Sequence, residues 1–344
     1  MPKSKAPLST KQSVAKESTN ETPKIGLVLG CGGVAGAAWS IAMLAELEKQ
    51  RNWDARDASV LVGTSAGAVL AALLSAGTPV SRMVASEKGE QLDCTWQHDT
   101  DTGGALPPLP APRLTAAPLV WKGLRGEVSP LTAITGILPR GRSDMTPFMD
   151  LINTVVPDGE WSPHPATWIM VVDADSGERV ALGRDVTDMP LNKAVCASYA
   201  VPGWCPPVAW NSHEYLDGGI ASPVSADMLI GTDIEEVIVL APMAASAMDN
   251  PRSRLEKIER RVRRYMTSIV DREVMKLEAA GIRVIRLEPG PQDLEAFGFN
   301  MMDPKRRELV FNTACATAPD AVSTALSAST RGTECGFSGA VSVS

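Results

Sequence analysis

Residues 59–77, SVLVGTSAGAVLAALLSAG, pass from a short apolar run through a glycine-flanked serine into a stretch of small and aliphatic residues. Ser59 to Val62 (SVLV) carries three successive apolar residues and is too short for a helix, which predicts a buried strand. The small residues after Gly67 predict a tightly packed helix that stops at Gly77 and Pro79. Between them Gly63-Thr64-Ser65-Ala66-Gly67 forms G-x-S-x-G in the strand, turn and helix setting that exposes a serine hydroxyl. Ser65 is therefore the candidate nucleophile. Gly63 and Gly67 let the chain turn sharply, and the helix that follows aims its N-terminal N–H groups at developing negative charge.

A second strand and glycine loop lies upstream. Lys24 to Leu29 (KIGLVL) predicts a buried strand, and Val34 to Gln50 carries Ile41, Leu44, Ala45 and Leu47 at helical spacing. The joining loop, Gly30-Cys31-Gly32-Gly33-Val34-Ala35-Gly36, concentrates backbone N–H groups without helical partners, and acyl transfer needs such donors for its oxyanion. Gly30, Gly32 and Ala35 also satisfy G-x-G-x-x-[GA], a dinucleotide fingerprint. That alternative requires an acid at the end of the next strand. Asp54 and Asp57 precede that strand, and its end is taken by Gly63 to Ser65.

Downstream, strands are expected at 167–172, 179–182, 206–210, 213–216, 236–240 and 282–287, and helices at 188–199, 222–229, 253–280 and from about 304. This alternation predicts an α/β fold with a mostly parallel central sheet sandwiched by helices. One domain is expected over 24–330, with a disordered tail at 1–23 and a loose tail at 331–344. Within the domain, residues 92–147 are dense in Pro and Gly around Trp96 and Trp121, which suggests an irregular insertion able to cover a site.

Composition narrows the function. The 344 residues carry a formal charge of −7, against the basic excess of nucleic-acid binders, so no nucleic-acid partner is expected. Residues 1–23 lack the apolar core of a signal peptide, and no apolar run approaches the roughly 20 residues that span a bilayer. A cytoplasmic chain, at most peripheral to a membrane, is the expectation. Cys31, Cys94, Cys196, Cys205, Cys315 and Cys335 are scattered without metal-ligand spacing, so neither a metal nor a cofactor is expected.

The serine needs a base, and His98, His164 and His213 are the only histidines. A triad of Ser65, Asp173 or Asp175, and His213 has the chain order of α/β-hydrolases, but Ser65 follows only two strands, too early for that sheet. Asp217-Gly218-Gly219 offers a carboxylate at a strand end, on a loop tight enough to approach another segment. A carboxylate is a weak base at its ordinary value of about 3.9, so this dyad requires burial and a short bond to Ser65.

Taken together, GLVLGCGGVAGAAW, VGTSAG, ASYAVPGWCPPV and YLDGGIASPV resemble the patatin-like phospholipase family in their order and spacing, over about residues 24–240. The resemblance implies a patatin-like fold, a nucleophile at Ser65, a base at Asp217 and an oxyanion hole at Gly32 and Gly33 with Val34 beside them. Gly30, Gly36, Gly63, Gly67, Gly218 and Gly219 support these motifs. No metal is implied, and the implied substrate is a lipid or other carboxylic ester. Two positions depart from the family pattern: Cys31 replaces a glycine, and Ala35 replaces an arginine or lysine. A degenerate lipid-binding or scaffold protein is the alternative that these departures favour.

Finally, PRSRLEKIERRVRR (251–264) holds seven Arg or Lys against two Glu, a net of +5 in an acidic chain. Leu255, Ile258, Val262 and Tyr265 recur at helical spacing and are expected to face the core, with the charges outward. Such a face could dock on an anionic membrane surface.

Overall fold

The computed structural model describes residues 23–90 and 108–335. The expected N-terminal tail, and Cys94, Trp96 and His98 of the insertion, lie outside the described residues.

The two apolar runs form neighbouring strands, β1 (Ile25–Leu29) and β2 (Val60–Thr64), buried along their whole length. They pair in parallel with Leu29 opposite Gly63, so the two glycine loops leave the sheet side by side. Each strand feeds a helix, α1 (Gly33–Arg51) and α2 (Ala66–Ser75). The helices α3 (Val80–Glu87), α4 (Ala117–Leu124), α5 (Pro130–Ile137) and α6 (Thr146–Asn153) follow, with β3 (Ala111–Leu114) pairing β4 (Pro139–Arg140) in a separate ribbon. The described part of the expected insertion is thus not irregular. Pro118, Pro130 and Pro147 stand in the first turns of their helices, where a missing N–H costs nothing, and Ser129 caps α5 by accepting from the N–H of Thr132.

The main sheet continues with β5 (Thr167–Asp173), β6 (Arg179–Leu182), β7 (Val208–Trp210), β8 (His213–Asp217), β9 (Glu236–Leu240) and β10 (Arg283–Leu287). Its order is β10-β9-β1-β2-β5-β8-β7, with the first five strands parallel and β6 also on β5. Strand alternation separates two apolar layers. Leu27, Leu29 and Leu61 pack with α1 and α2, while Val28, Val60 and Val62 pack with Val270 and Leu277 of α8 (Arg254–Ala279) on the other face. Helices α7 (Leu191–Ser198), α9 (Pro291–Phe297) and α10 (Arg307–Cys335) complete the layers. The helix expected over 222–229 shrinks to a 3-10 turn at Ala226–Leu229, and α10 runs five residues into the expected C-terminal tail.

Register along β5 decides where the site forms. β6 and β2 overlap on it at Ile169 and Met170, so they occupy opposite edges. β8 overlaps β6 at Val171 and Val172, which places β8 on the β2 edge. The end of β2 (Thr64 opposite Met170) therefore abuts the end of β8 (Asp217 opposite Val171). Ser65 and Asp217, 152 positions apart in sequence, become neighbours through the pairing of a third strand.

Candidate active site

Ser65 sits at φ 56°, ψ −120° between β2 and α2, a backbone conformation that costs a non-glycine residue of order 1–3 kcal/mol. Close packing imposes it. A Cβ at Gly67 would stand 2.0 Å from the Leu29 carbonyl oxygen, and one at Gly63 would stand 2.5 Å from that of Gly67, so no other residue lets the first turn of α2 lie against β1 and β2. The turn is also anchored from behind. The N–H of Ser65 donates to Ser198 Oγ at 2.8 Å, and that hydroxyl donates to the Met170 carbonyl at 2.7 Å. Ser198, fully buried, is a site residue that the motif reading did not pick out, although it lies within the quoted ASYAVPGWCPPV stretch.

Asp217 meets this serine at the end of β8. Both side chains are buried and line one cavity, and the carboxylate accepts the N–H of Gly219 at 2.7 Å. Burial pushes the carboxyl up from its ordinary 3.8 to about 6, against the lowering pull of the Ser65 hydroxyl and the Gly219 N–H. Its loop is as constrained as the elbow, since a Cβ at Gly218 would lie 2.6 Å from the Met170 carbonyl oxygen.

The loop after β1 completes the group. Gly30 donates its N–H to Leu240, Cys31 to Pro223, Ala35 to Met301 and Gly36 to Gly32. The N–H groups of Gly32, Gly33 and Val34 have no acceptor among the described residues. Gly33 adopts φ +57°, and a Cβ there would meet the Met301 carbonyl oxygen at 2.7 Å. Gly32 and Gly33 face the same cavity as Ser65 and Asp217, whereas Val34 does not line it. The Cys31 thiol packs against Gly219, and burial followed by the nearby Asp217 charge raises its pKa far above the usual range. Cys31 keeps a negative φ, so its substitution for glycine leaves the loop's path intact.

This cavity, about 290 Å³, is lined by Ser65 and Asp217 together with Leu131, Leu138, Met243, Met266, Met301 and Met302. Among its described lining residues Asp217 is the only charged one. A larger recess of about 610 Å³ lies between Asp249, Arg260, Glu295 and Arg306, but its charges are already engaged: Arg260 pairs with Asp249 at 2.7 Å, Arg252 with Glu295 at 3.1 Å, Arg306 donates to the Ala296 carbonyl and Glu256 accepts the N–H of Ser253.

The triad does not assemble. His213 Nδ1 lies 2.7 Å from Asp173 Oδ2, but His213 begins β8 and Asp217 ends it, about 13 Å apart at strand rise. The imidazole is more than half exposed and lines no part of the cavity.

The basic segment is built differently from expectation. Arg260 and Arg263 of α8 are buried, while Leu255 and Ile258 are 53% and 56% exposed. The helix is rotated because both guanidiniums find a complete set of buried acceptors. Arg260 reaches Asp249, Glu259 and the Leu294 and Gly298 carbonyls, and Arg263 reaches Glu259 and the Pro242 and Ala244 carbonyls. Pro242 in turn packs against Gly32 and Gly36. A buried cation thus stands behind the glycine loop, whose own position 35 is an apolar, fully buried alanine.

The family profile of the patatin-like phospholipases matches residues 27–230, more than half of the chain, and the chain belongs to that family. It is a family of lipid acyl hydrolases, and the dinucleotide alternative falls with that membership. Among solved structures, VipD from Legionella pneumophila is 14% identical with a TM-score of 0.41 over 88% of this chain and 66% of its own. The type III effector protein ExoU is 17% identical with a TM-score of 0.38 over 88% of this chain and 53% of its own. The chain therefore spans less than two thirds of either protein. No curated protein matches it.

Proposed function

We propose that this chain is a serine acyl hydrolase that cleaves a carboxylic ester of a lipid with Ser65 as nucleophile and Asp217 as base. The observation that carries the proposal is that Ser65, on its strained turn, and a buried carboxylate raised to about 6 line one apolar cavity together. Ser65 Oγ attacks the ester carbonyl and passes its proton to Asp217. The negative charge that develops on the carbonyl oxygen is received by the N–H groups of Gly32 and Gly33, which have no other acceptor among the described residues and need no reorganisation. Asp217 then returns the proton to the leaving alcohol and accepts one from the water that cleaves the acyl-enzyme.

The walls suit an acyl chain. Four methionines adapt their shape to chains of differing length, and the absence of any cation among the described lining residues leaves a polar headgroup at the mouth. Turnover of a short-chain p-nitrophenyl ester tests the assignment. Ser65→Ala and Asp217→Asn should each abolish turnover while His213→Ala retains it; loss in His213→Ala with activity kept in Asp217→Asn would replace the dyad by the triad, and a wild type no faster than Ser65→Ala would leave a lipid-binding scaffold.

A further inference from the structure

Helix α8 carries three stripes, and only one faces the core. At 100° per residue, Arg260, Arg263, Thr267 and Val270 share the buried side. Leu255, Ile258, Val262 and Met266 form a second stripe on the adjoining flank. It starts with two exposed aliphatic side chains and ends at Met266 in the cavity wall. Arg254, Lys257, Arg261 and Arg264 form the third, on the other flank of the solvent side. All four are exposed, and among the described residues none has an ion-pair partner. Another wall of the same cavity is Leu131 and Leu138 at α5, from which Ile134 and Ile137 project with 58% and 55% exposure.

A soluble helix face has no use for this arrangement. Exposed aliphatics on two elements flank one cavity, and in a chain of net charge −7 four unpaired cations stand beside one of them. We propose that α8 and α5 form a docking surface for an anionic lipid bilayer, with Leu255, Ile258, Ile134 and Ile137 entering the acyl boundary and Arg254, Lys257, Arg261 and Arg264 meeting headgroup phosphates. Charge complementarity selects the anionic surface, and continuity of the apolar stripe with Met266 gives a lipid an unbroken apolar path from bilayer to Ser65. The choice of lipid as partner rests on the hydrolase reading above. Arg260 and Arg263 take no part, because their guanidiniums are spent inside the protein.

The test uses the full chain carrying Ser65→Ala, so that the vesicles stay intact. Its co-sedimentation with vesicles of two parts phosphatidylcholine to one part phosphatidylserine should exceed that with phosphatidylcholine alone and fall as salt rises. Adding R254Q, K257Q, R261Q and R264Q should lower partitioning on the mixed vesicles by at least tenfold and up to about a thousandfold at low salt, and remove most of the salt dependence, since every basic residue near such a surface adds to the attraction. Leu255→Ser with Ile258→Ser should weaken binding to both vesicles. All six positions are exposed, so the fold survives, and on the Ser65 background soluble-ester turnover should be unchanged. Equal sedimentation of the quadruple variant and its parent, or none with either vesicle, overturns the proposal and leaves the face to a protein partner. Vesicle binding as described in a chain that hydrolyses no ester would instead overturn the hydrolase reading and leave the docking surface standing.

Discussion

Replacing Asp217 by asparagine should make the protein more stable and inactive at once. The carboxyl is buried and its pKa is raised from 3.8 to about 6, so the folded state holds a proton that the unfolded state releases at lower pH. Stability from this group is fully present below about 3.8, declines as pH rises, and is lost above about 6. The displacement corresponds to about 3 kcal/mol of destabilisation at pH 7. Asparagine carries no charge and its amide oxygen can still accept the Gly219 N–H, so the variant escapes this cost. Urea midpoints of wild type and Asp217→Asn, compared from pH 4 to pH 8, should coincide at the acid end and separate in favour of the variant up to a plateau above pH 7. Over the same range wild-type kcat/KM should climb through about 6, and the variant should show no ascending limb and almost no rate. A difference in stability that does not vary with pH, or a wild-type rate flat between pH 5 and pH 7, would refute the argument that burial tunes this carboxylate.

Two further outcomes follow from the site's supports. Ser198→Ala removes the acceptor of the Ser65 N–H and should cost about 1–3 kcal/mol of stability, while lowering kcat more than KM, as chemical denaturation and initial rates will show. If residues 108–147 cover the site, hydrogen exchange in α4 and α5 should slow when a serine-reactive phosphonate is bound, because Leu131 and Leu138 face the cavity; unchanged exchange would mark them as a static wall.

The parts of this molecule legible in its sequence are those where chemistry allows one residue type. Gly63 and Gly67 face backbone atoms at distances that exclude a Cβ, so the elbow announces itself as G-x-S-x-G, and the parallel sheet appears as unbroken runs such as IGLVL and EVIVL. What stayed hidden depends on tertiary partners. Periodicity located α8 to within a residue at each end but not its orientation, because Leu255, Ile258 and Val262 and the buried Arg260, Arg263 and Thr267 both recur at three and four. Hydropathy assigns arginine to solvent, and only the Pro242, Ala244 and Leu294 carbonyls and the acids Asp249 and Glu259 make its burial favourable. Short helices opening on Pro118, Pro130 and Pro147 read as breaks, since eight residues barely exceed two turns. Ser198 reaches Ser65 across 133 positions and leaves no local pattern.

If Ser65 is a nucleophile activated by Asp217, a covalent serine probe will find it. Intact mass after exposure to a fluorophosphonate should show one adduct, mapped by peptide digestion to Ser65, forming faster as pH rises through about 6. The adduct should be absent in Ser65→Ala and form far more slowly in Asp217→Asn. Labelling that persists in Ser65→Ala, or proceeds in Asp217→Asn at the wild-type rate, would contradict the account.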